Sequence, residues 1–396
     1  MKKKLLALAV AGAFIAPVAM ADNVTVYGVM NGTVDNVSIS SAGTNVNATK
    51  ISSHESHIGF KGSEDLGGGT SAVFQIESQV ELDNGGNSHA STGVVTGSVA
   101  SAVTITNTRA ANHVGSTGLG GRNTFVGLSG SGWGSLLLGT NDTPYKNATR
   151  KMDMFDSTLA DNRSLMGMST SGLGFDRRAN NSVTYNTPDM SGFKAAVQYQ
   201  AGAEGATGTL SKGSAWSLAA NYTSGPLTGL LAYETHDFGA AAGDLVAVAP
   251  AVVDKKESAY KIGIGYAVDQ FAVNAYYEKT QDSFAVAPAA STDLAGHKNY
   301  YVSGKYNISA SDAVKLGYTH AGSLNNTNNT GAKQVSVGYD HNMGKRTTVY
   351  ALWTKLSNDS GQAYALGAAD VTTATTAAGA LDNDISAVSI GIKHAF

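Results

Sequence analysis

The stretch Thr70-Ser71-Ala72-Val73-Phe74-Gln75-Ile76-Glu77-Ser78-Gln79-Val80-Glu81-Leu82 decides the fold. In an extended chain successive side chains leave on opposite faces. Phe74, Ile76, Val80 and Leu82 therefore share one face, and Gln75, Glu77, Gln79 and Glu81 share the other. Such a strand has one apolar and one wet side.

The same alternation recurs along the chain. Phe193, Val197 and Tyr199 stand opposite Lys194, Gln198 and Gln200, and Trp216, Leu218 and Tyr222 opposite Ser217, Asn221 and Thr223. Tyr260, Ile262, Ile264 and Tyr266 stand opposite Lys261, Gly263, Gly265 and Ala267. About sixteen segments can be placed, near 24–37, 50–63, 70–82, 121–130, 133–140, 177–187, 192–201, 214–224, 226–236, 257–268, 269–280, 297–309, 311–321, 331–343, 344–357 and 384–396. Residues 344–357 alternate ambiguously. Connections such as 65–69, 188–192, 224–225 and 268–269 are tight, whereas 83–120, 141–176, 237–256, 281–296 and 358–383 are long. Short turns at one end and long loops at the other are what a transmembrane antiparallel β-barrel requires.

Alternation alone does not separate such a barrel from a soluble sandwich, because both pair an apolar with a polar face. Three further features favour the barrel. Lys2, Lys3 and Lys4 precede an apolar run from Leu5 to Ala16, and Ala19-Met20-Ala21 follows as a small-residue cleavage site. Residues 1–21 therefore read as a signal peptide, and 22–396 as the exported barrel. Tyr199, Tyr222, Tyr266 and Tyr339 lie near strand ends, where interfacial girdles sit. The last segment places Val388, Ile390, Ile392, His394 and Phe396 on one face and must pair with residues 24–37 so that no edge faces lipid.

Composition agrees. With 47 glycines, 6 prolines and no cysteine, the chain favours strands and turns and has no disulfides or thiolate metal sites. Without residues 1–21 it keeps 24 Lys+Arg against 30 Asp+Glu, a net charge of −6, which gives no reason to expect nucleic acid. Gly67-Gly68-Gly69 and Ser129-Gly130-Ser131-Gly132 lack the Lys-Ser/Thr of a phosphate loop and read as turns. His54 and His57, three apart in one strand, should face opposite sides and cannot chelate a metal together. No nucleophile motif such as G-x-S-x-G accompanies the nine histidines, so an outer-membrane hydrolase is disfavoured.

Several segments carry a resemblance: Val24-Thr25-Val26-Tyr27-Gly28, the run from Ile58-Gly59-Phe60-Lys61-Gly62 to Gly69, Arg122-Asn123-Thr124-Phe125-Val126-Gly127-Leu128, Leu138-Gly139-Thr140, Arg178 to Tyr185, and Ile390-Gly391-Ile392-Lys393-His394-Ala395-Phe396. In this order and spacing the chain resembles the general porins of Gram-negative outer membranes, most closely the branch found in β-proteobacteria and Neisseria. The resemblance implies a sixteen-stranded barrel, a homotrimer, a third long loop folded inward, and a Phe396 that the barrel-assembly machinery recognises. It also implies outer-membrane lipid and lipopolysaccharide as surroundings and small hydrophilic solutes and ions as cargo, with no cofactor. Two departures stand out: His57 and Thr140 occupy places where the family often has arginine.

The face assignments point Lys61, Arg122 and Arg178 into the lumen, with His57 on the side of Lys61. Residues 141–176 should be the constriction loop, because Met152, Met154, Phe155, Leu159, Leu165 and Met166 need a wall to pack against. That loop carries Asp142, Asp153, Asp156, Asp161 and Asp176 against Lys146, Arg150, Lys151 and Arg163, one net negative charge. The expected pore constriction is thus His57, Lys61, Arg122 and Arg178 facing Asp153, Asp156 and Asp161, with a weak preference for anions that protonation of His57 would strengthen. The competing readings are that these charges simply pair to hold the loop, or that the chain is an adhesin, receptor or substrate-specific channel working through its long surface loops.

Overall fold

A computed structural model describes residues 24–41, 44–83, 94–99, 103–108, 119–169, 174–202, 213–238, 255–283, 296–325, 327–366 and 382–396. The expected signal peptide lies outside the described residues.

Sixteen antiparallel strands close into one barrel. They are β1 Thr25–Ser41, β2 in two segments (Thr44–Ser53 and His57–Asp65), β3 Ser71–Gln79, β4 Thr124–Gly130, β5 Gly134–Asp142, β6 Arg178–Asn186, β7 Phe193–Gln200 and β8 Ser214–Ser224. The second half comprises β9 Leu227–Asp237, β10 Lys256–Val268, β11 Phe271–Asp282, β12 Lys298–Asn307, β13 Asp312–Ala321, β14 Ala332–Asn342, β15 Thr347–Asn358 and β16 Asp384–Ala395. Each strand pairs with its sequence neighbours, and β16 pairs with β1, Ile390 opposite Val34 and Ala395 opposite Val29, so the sheet has no free edge. A separate hairpin, Val94–Val99 with Val103–Thr108, occupies part of the long connection 83–120. No described helix is long and apolar enough to cross a membrane, which says nothing of crossing by strands.

The alternation sets the faces as expected. Val34, Ile51, Val126, Leu231, Ile262, Val273, Leu316 and Ile390 are exposed on the outside, where lipid would cover them. In 344–357, where the pattern was ambiguous, Tyr350, Leu352, Thr354 and Leu356 turn inward and Trp353 outward.

Two findings depart from the sequence reading. Residues 50–63 are not one uninterrupted strand: Gly32 pairs with Ser53 and Val29 with His57, so three residues, His54 to Ser56, oppose two, Met30 and Asn31. This β-bulge shifts the side-chain parity by one. Ser52 then faces inward before it and His57, Gly59 and Lys61 after it, and both His54 and His57 look into the barrel rather than to opposite sides. His54 meets the Thr33 hydroxyl at 2.8 Å, and His57 contacts the Glu55 carbonyl at 2.7 Å. Among the described residues no group of three metal-type ligands forms.

The second departure is that the interior is not wholly wet. Val37, Ile39, Leu352, Leu356, Ile385 and Ala387 point inward toward the long-loop end and form a buried cluster with Phe155, Leu159, Leu165, Tyr364 and Leu366.

Candidate functional site: the loop-filled lumen

Residues 141–169 and 174–176 lie inside the barrel, as their apolar content required. Helix α1, Pro144–Arg150, starts the loop: Thr143 caps it by accepting from the Lys146 amide, and Pro144 supplies a preset first turn. Tyr145, Met152, Phe155, Leu159, Leu165, Met166 and Phe175 are all buried. Phe155 lies on a socket made by two inward-facing glycines, since a Cβ at Gly317 or Gly338 would fall 2.9 Å from its ring. Each such fully buried side chain contributes about 1.5–3 kcal/mol.

Polar bonds tie the loop to the wall at three places. At its entry, Tyr145 Oη donates to Glu278 (2.9 Å), and Asp142 pairs with Lys146 (2.8 Å) and Arg178 (3.1 Å). At its exit three successive residues are held: Phe175 stacks on His236 (centroids 4.8 Å apart), Asp176 pairs with Lys261 (2.6 Å) and Arg177 with Glu234 (2.9 Å). His236 also lies 2.6 Å from Glu257 and 2.9 Å from Glu234. Along the middle, Asn274 Nδ2 donates to the Met152 carbonyl (2.9 Å) and Tyr301 Oη to Asp153 (2.6 Å).

The acids expected to face a basic wall are engaged otherwise. Asp161 accepts from Arg163 (2.7 Å) and Arg150 (3.2 Å) within the loop, and Asp156 pairs with Arg150. Asp153 binds Tyr301 and Asn162, and burial, reinforced by neighbouring Asp161, raises its carboxyl above the usual carboxylate range. Lys146 goes the other way: burial pushes its ammonium down to about 8 against the pull of Asp142.

On the wall, Arg122 is buried against Glu77 and reaches Gln79 (2.8 Å), while Tyr27 Oη donates to Glu77 (3.0 Å) and His57 lies 3.8 Å from it. Arg178 is paired with Asp142 and donates to Asn123 (3.0 Å). Lys61 lies over the Tyr27 ring, 5.0 Å from its centroid, toward the short-turn end. The seven expected residues all lie inside the barrel but not as two opposed rows. Arg122, Arg178, Asp156 and Asp161 are ion-paired, His57 lies beside Glu77, Asp153 is hydrogen-bonded to Tyr301 and Asn162, and Lys61 has no carboxylate in ion-pair distance among the described residues. The sequence reading missed Glu55, Glu77, Glu278, Lys261, Arg177 and Lys393, all on the inward face. Strand parity would have marked most of them, but their pairing across the barrel is not local.

A closed barrel with a lipid-compatible exterior and a loop folded across its lumen defines a membrane channel of the porin type. Comparison with known proteins agrees: a family model described as Gram-negative porin matches residues 7–362, and the chain belongs to that family. It is 27% identical over 405 residues to outer membrane porin protein 32 of Delftia acidovorans, covering 100% of both chains. It is 34% identical over 154 residues to the major outer membrane protein P.IA of Neisseria meningitidis serogroup C, a match covering 38% of this chain and 30% of the relative. Among solved structures it resembles the anion-selective porin from Comamonas acidovorans, with a TM-score of 0.69, 22% identity and coverage of 94% of this chain and 99% of the other. The chain is accordingly an outer-membrane general porin, a channel and not an enzyme.

Proposed function

We propose that this porin passes small hydrophilic solutes and ions with a weak preference for anions, as a homotrimer exported with loss of residues 1–21. Porins of this family are typically trimeric, and a solved structure of the same fold is described as anion-selective.

One observation carries the selectivity. Among the described residues, Lys61, Lys305 and Lys393 face the lumen in its short-turn half with no carboxylate in ion-pair distance. Arg122, Arg178, Lys146, Arg150, Arg163, Arg177, Lys261 and Lys315 each have one. Paired charges largely cancel at a distance, so the three free ammoniums of the wall, together with exposed Lys151 of the loop, set the sign of the field that a permeating ion meets. Selectivity in a pore follows such fixed charge rather than the net charge of the chain.

The test is the reversal potential across a KCl gradient in a planar bilayer. The wild type should prefer chloride, less so as salt rises past about 0.1 M, where the screening length is about 10 Å. Replacing Lys61, Lys305 and Lys393 together by glutamine should bring the potential to zero or reverse it. A cation-selective wild type, or a triple variant with an unchanged potential, rejects the assignment.

A further inference from the structure

Glu55 sits in the β2 bulge with φ +55°, a left-handed conformation that non-glycine residues seldom adopt. The bulge is fixed from β1: the His54 amide donates to the Asn31 carbonyl (2.9 Å), and the Asn31 amide donates to Ser56 Oγ (2.9 Å). Set in this way, the Glu55 side chain reaches into the lumen and meets the tip of the loop. Its Oε1 accepts from Arg163 Nη2, and its Oε2 accepts from Ser157 Oγ at 3.1 Å.

Arg163 also binds Asp161, which binds Arg150, which binds Asp156. Every other member of that ionic chain belongs to the loop; Glu55 alone belongs to the wall. Asn31 Nδ2 donates to the Ser157 carbonyl (2.8 Å), so both sides of the bulge converge on one tip residue. A bulge can exist simply to bend a strand. Here, however, the extra residue is an acid whose two oxygens both contact the tip.

We propose that Glu55 is the positioning residue of the constriction: its carboxylate fixes how far the tip of residues 153–165 stands from β1 to β3, and so sets the width and steadiness of the pore. The assignment rests on the diffusion-channel reading above. Without the carboxylate the apolar cluster still holds the loop inside the barrel, but the tip is free to move between nearby positions.

Single-channel records of wild type, Glu55→Gln and Glu55→Asp test this. Glutamine removes the charge. Aspartate keeps it but is one methylene short of both partners. Losing a charge-assisted hydrogen bond should raise the frequency of transitions between conductance substates about tenfold. Both variants should show that rise, and Glu55→Asp should keep the wild-type reversal potential. Arg163→Gln should match Glu55→Gln, and the double variant should be no noisier than either single one. A quiet Glu55→Asp beside a noisy Glu55→Gln would make Glu55 a source of field and not of position. Two quiet variants would show that packing alone sets the tip, and additive noise in the double variant would show that Glu55 does not act through Arg163; either overturns the assignment. A wild type without stepwise conductance would remove the channel reading, and this assignment with it.

Discussion

Lys146 shows how much a single side chain depends on its surroundings. As a sequence letter it is one more loop cation, but in the folded chain it is buried beside Asp142, with its ammonium pushed down to about 8. Its unfolded value is near 10.5. Between those two values the unfolded chain holds a proton that the folded chain has released, so the Lys146 contribution to stability rises with pH across that window. Below about 8 the buried ammonium is fully charged and its burial cost is fully present. Two consequences can be measured between pH 7 and pH 9. The anion preference should fall as one lumen charge disappears, and thermal resistance should rise more in wild type than in Lys146→Met, whose reversal potential should change less. Equal pH responses in the two proteins would show that Lys146 does not titrate in this range. The charge of each residue and its inward face were legible from strand parity. The partners were not, because Asp142 with Arg178 or Glu55 with Arg163 join positions far apart in sequence.

At the scale of elements, the seam between β16, β1 and β2 is interlocked by rings seated on glycines. Phe396 exchanges two backbone bonds of 3.1 Å with Gly28, and a Cβ at Gly28 would lie 2.5 Å from its ring and from the His57 carbonyl oxygen. Tyr27 covers Gly59 in the same manner, and Tyr350 covers Gly391. Only glycine leaves room for these rings. Gly28→Val should therefore cost about 1–3 kcal/mol, as overpacking generally does. Gly229→Val, at an open position in β9, is the matched control. Urea titrations of the folded barrels would show the difference, and equal midpoints would mean that the seam tolerates the added volume. Sequence placed most strand ends within a few residues but carried 50–63 as one strand. The bulge at Glu55 leaves no local mark, since it is the pairing with β1 that demands an extra residue. The inward turn of His54 follows from it.

For the whole molecule, the outward aromatics form two belts. Phe193, Tyr222, Tyr266, Phe271 and Tyr339 lie near the short turns, and Trp216, Tyr233, Tyr260 and Tyr300 nearer the long loops. Trp216 and Tyr222, on one strand, are six residues apart, about 20 Å at the rise of a strand, which approaches the thickness of the apolar band such barrels present. A barrel with this exterior and no open edge should resist detergent as an assembly. Unboiled samples should run on gels as a high-mass trimer band and collapse on boiling to the mass of the mature chain. A lone monomer band under mild conditions would remove the trimer while leaving the barrel.

The sequence by itself determined the barrel, its strand number, its closure and the loop that turns inward, because a period of two and the length of connections are local properties of the chain. It also determined the family, through motifs spread over the mature chain. Only the tertiary structure decided which charges remain free in the lumen, because pairing there brings the β2 bulge, β5 and β9 to β11 against one loop across the barrel, and β3 against Arg122. The apolar cluster inside the long-loop end belongs to the same class. Val37, Ile39 and Ile385 occupy inward positions where parity predicts a wet face, and they are dry because residues 155–165 and 364–366 cover them.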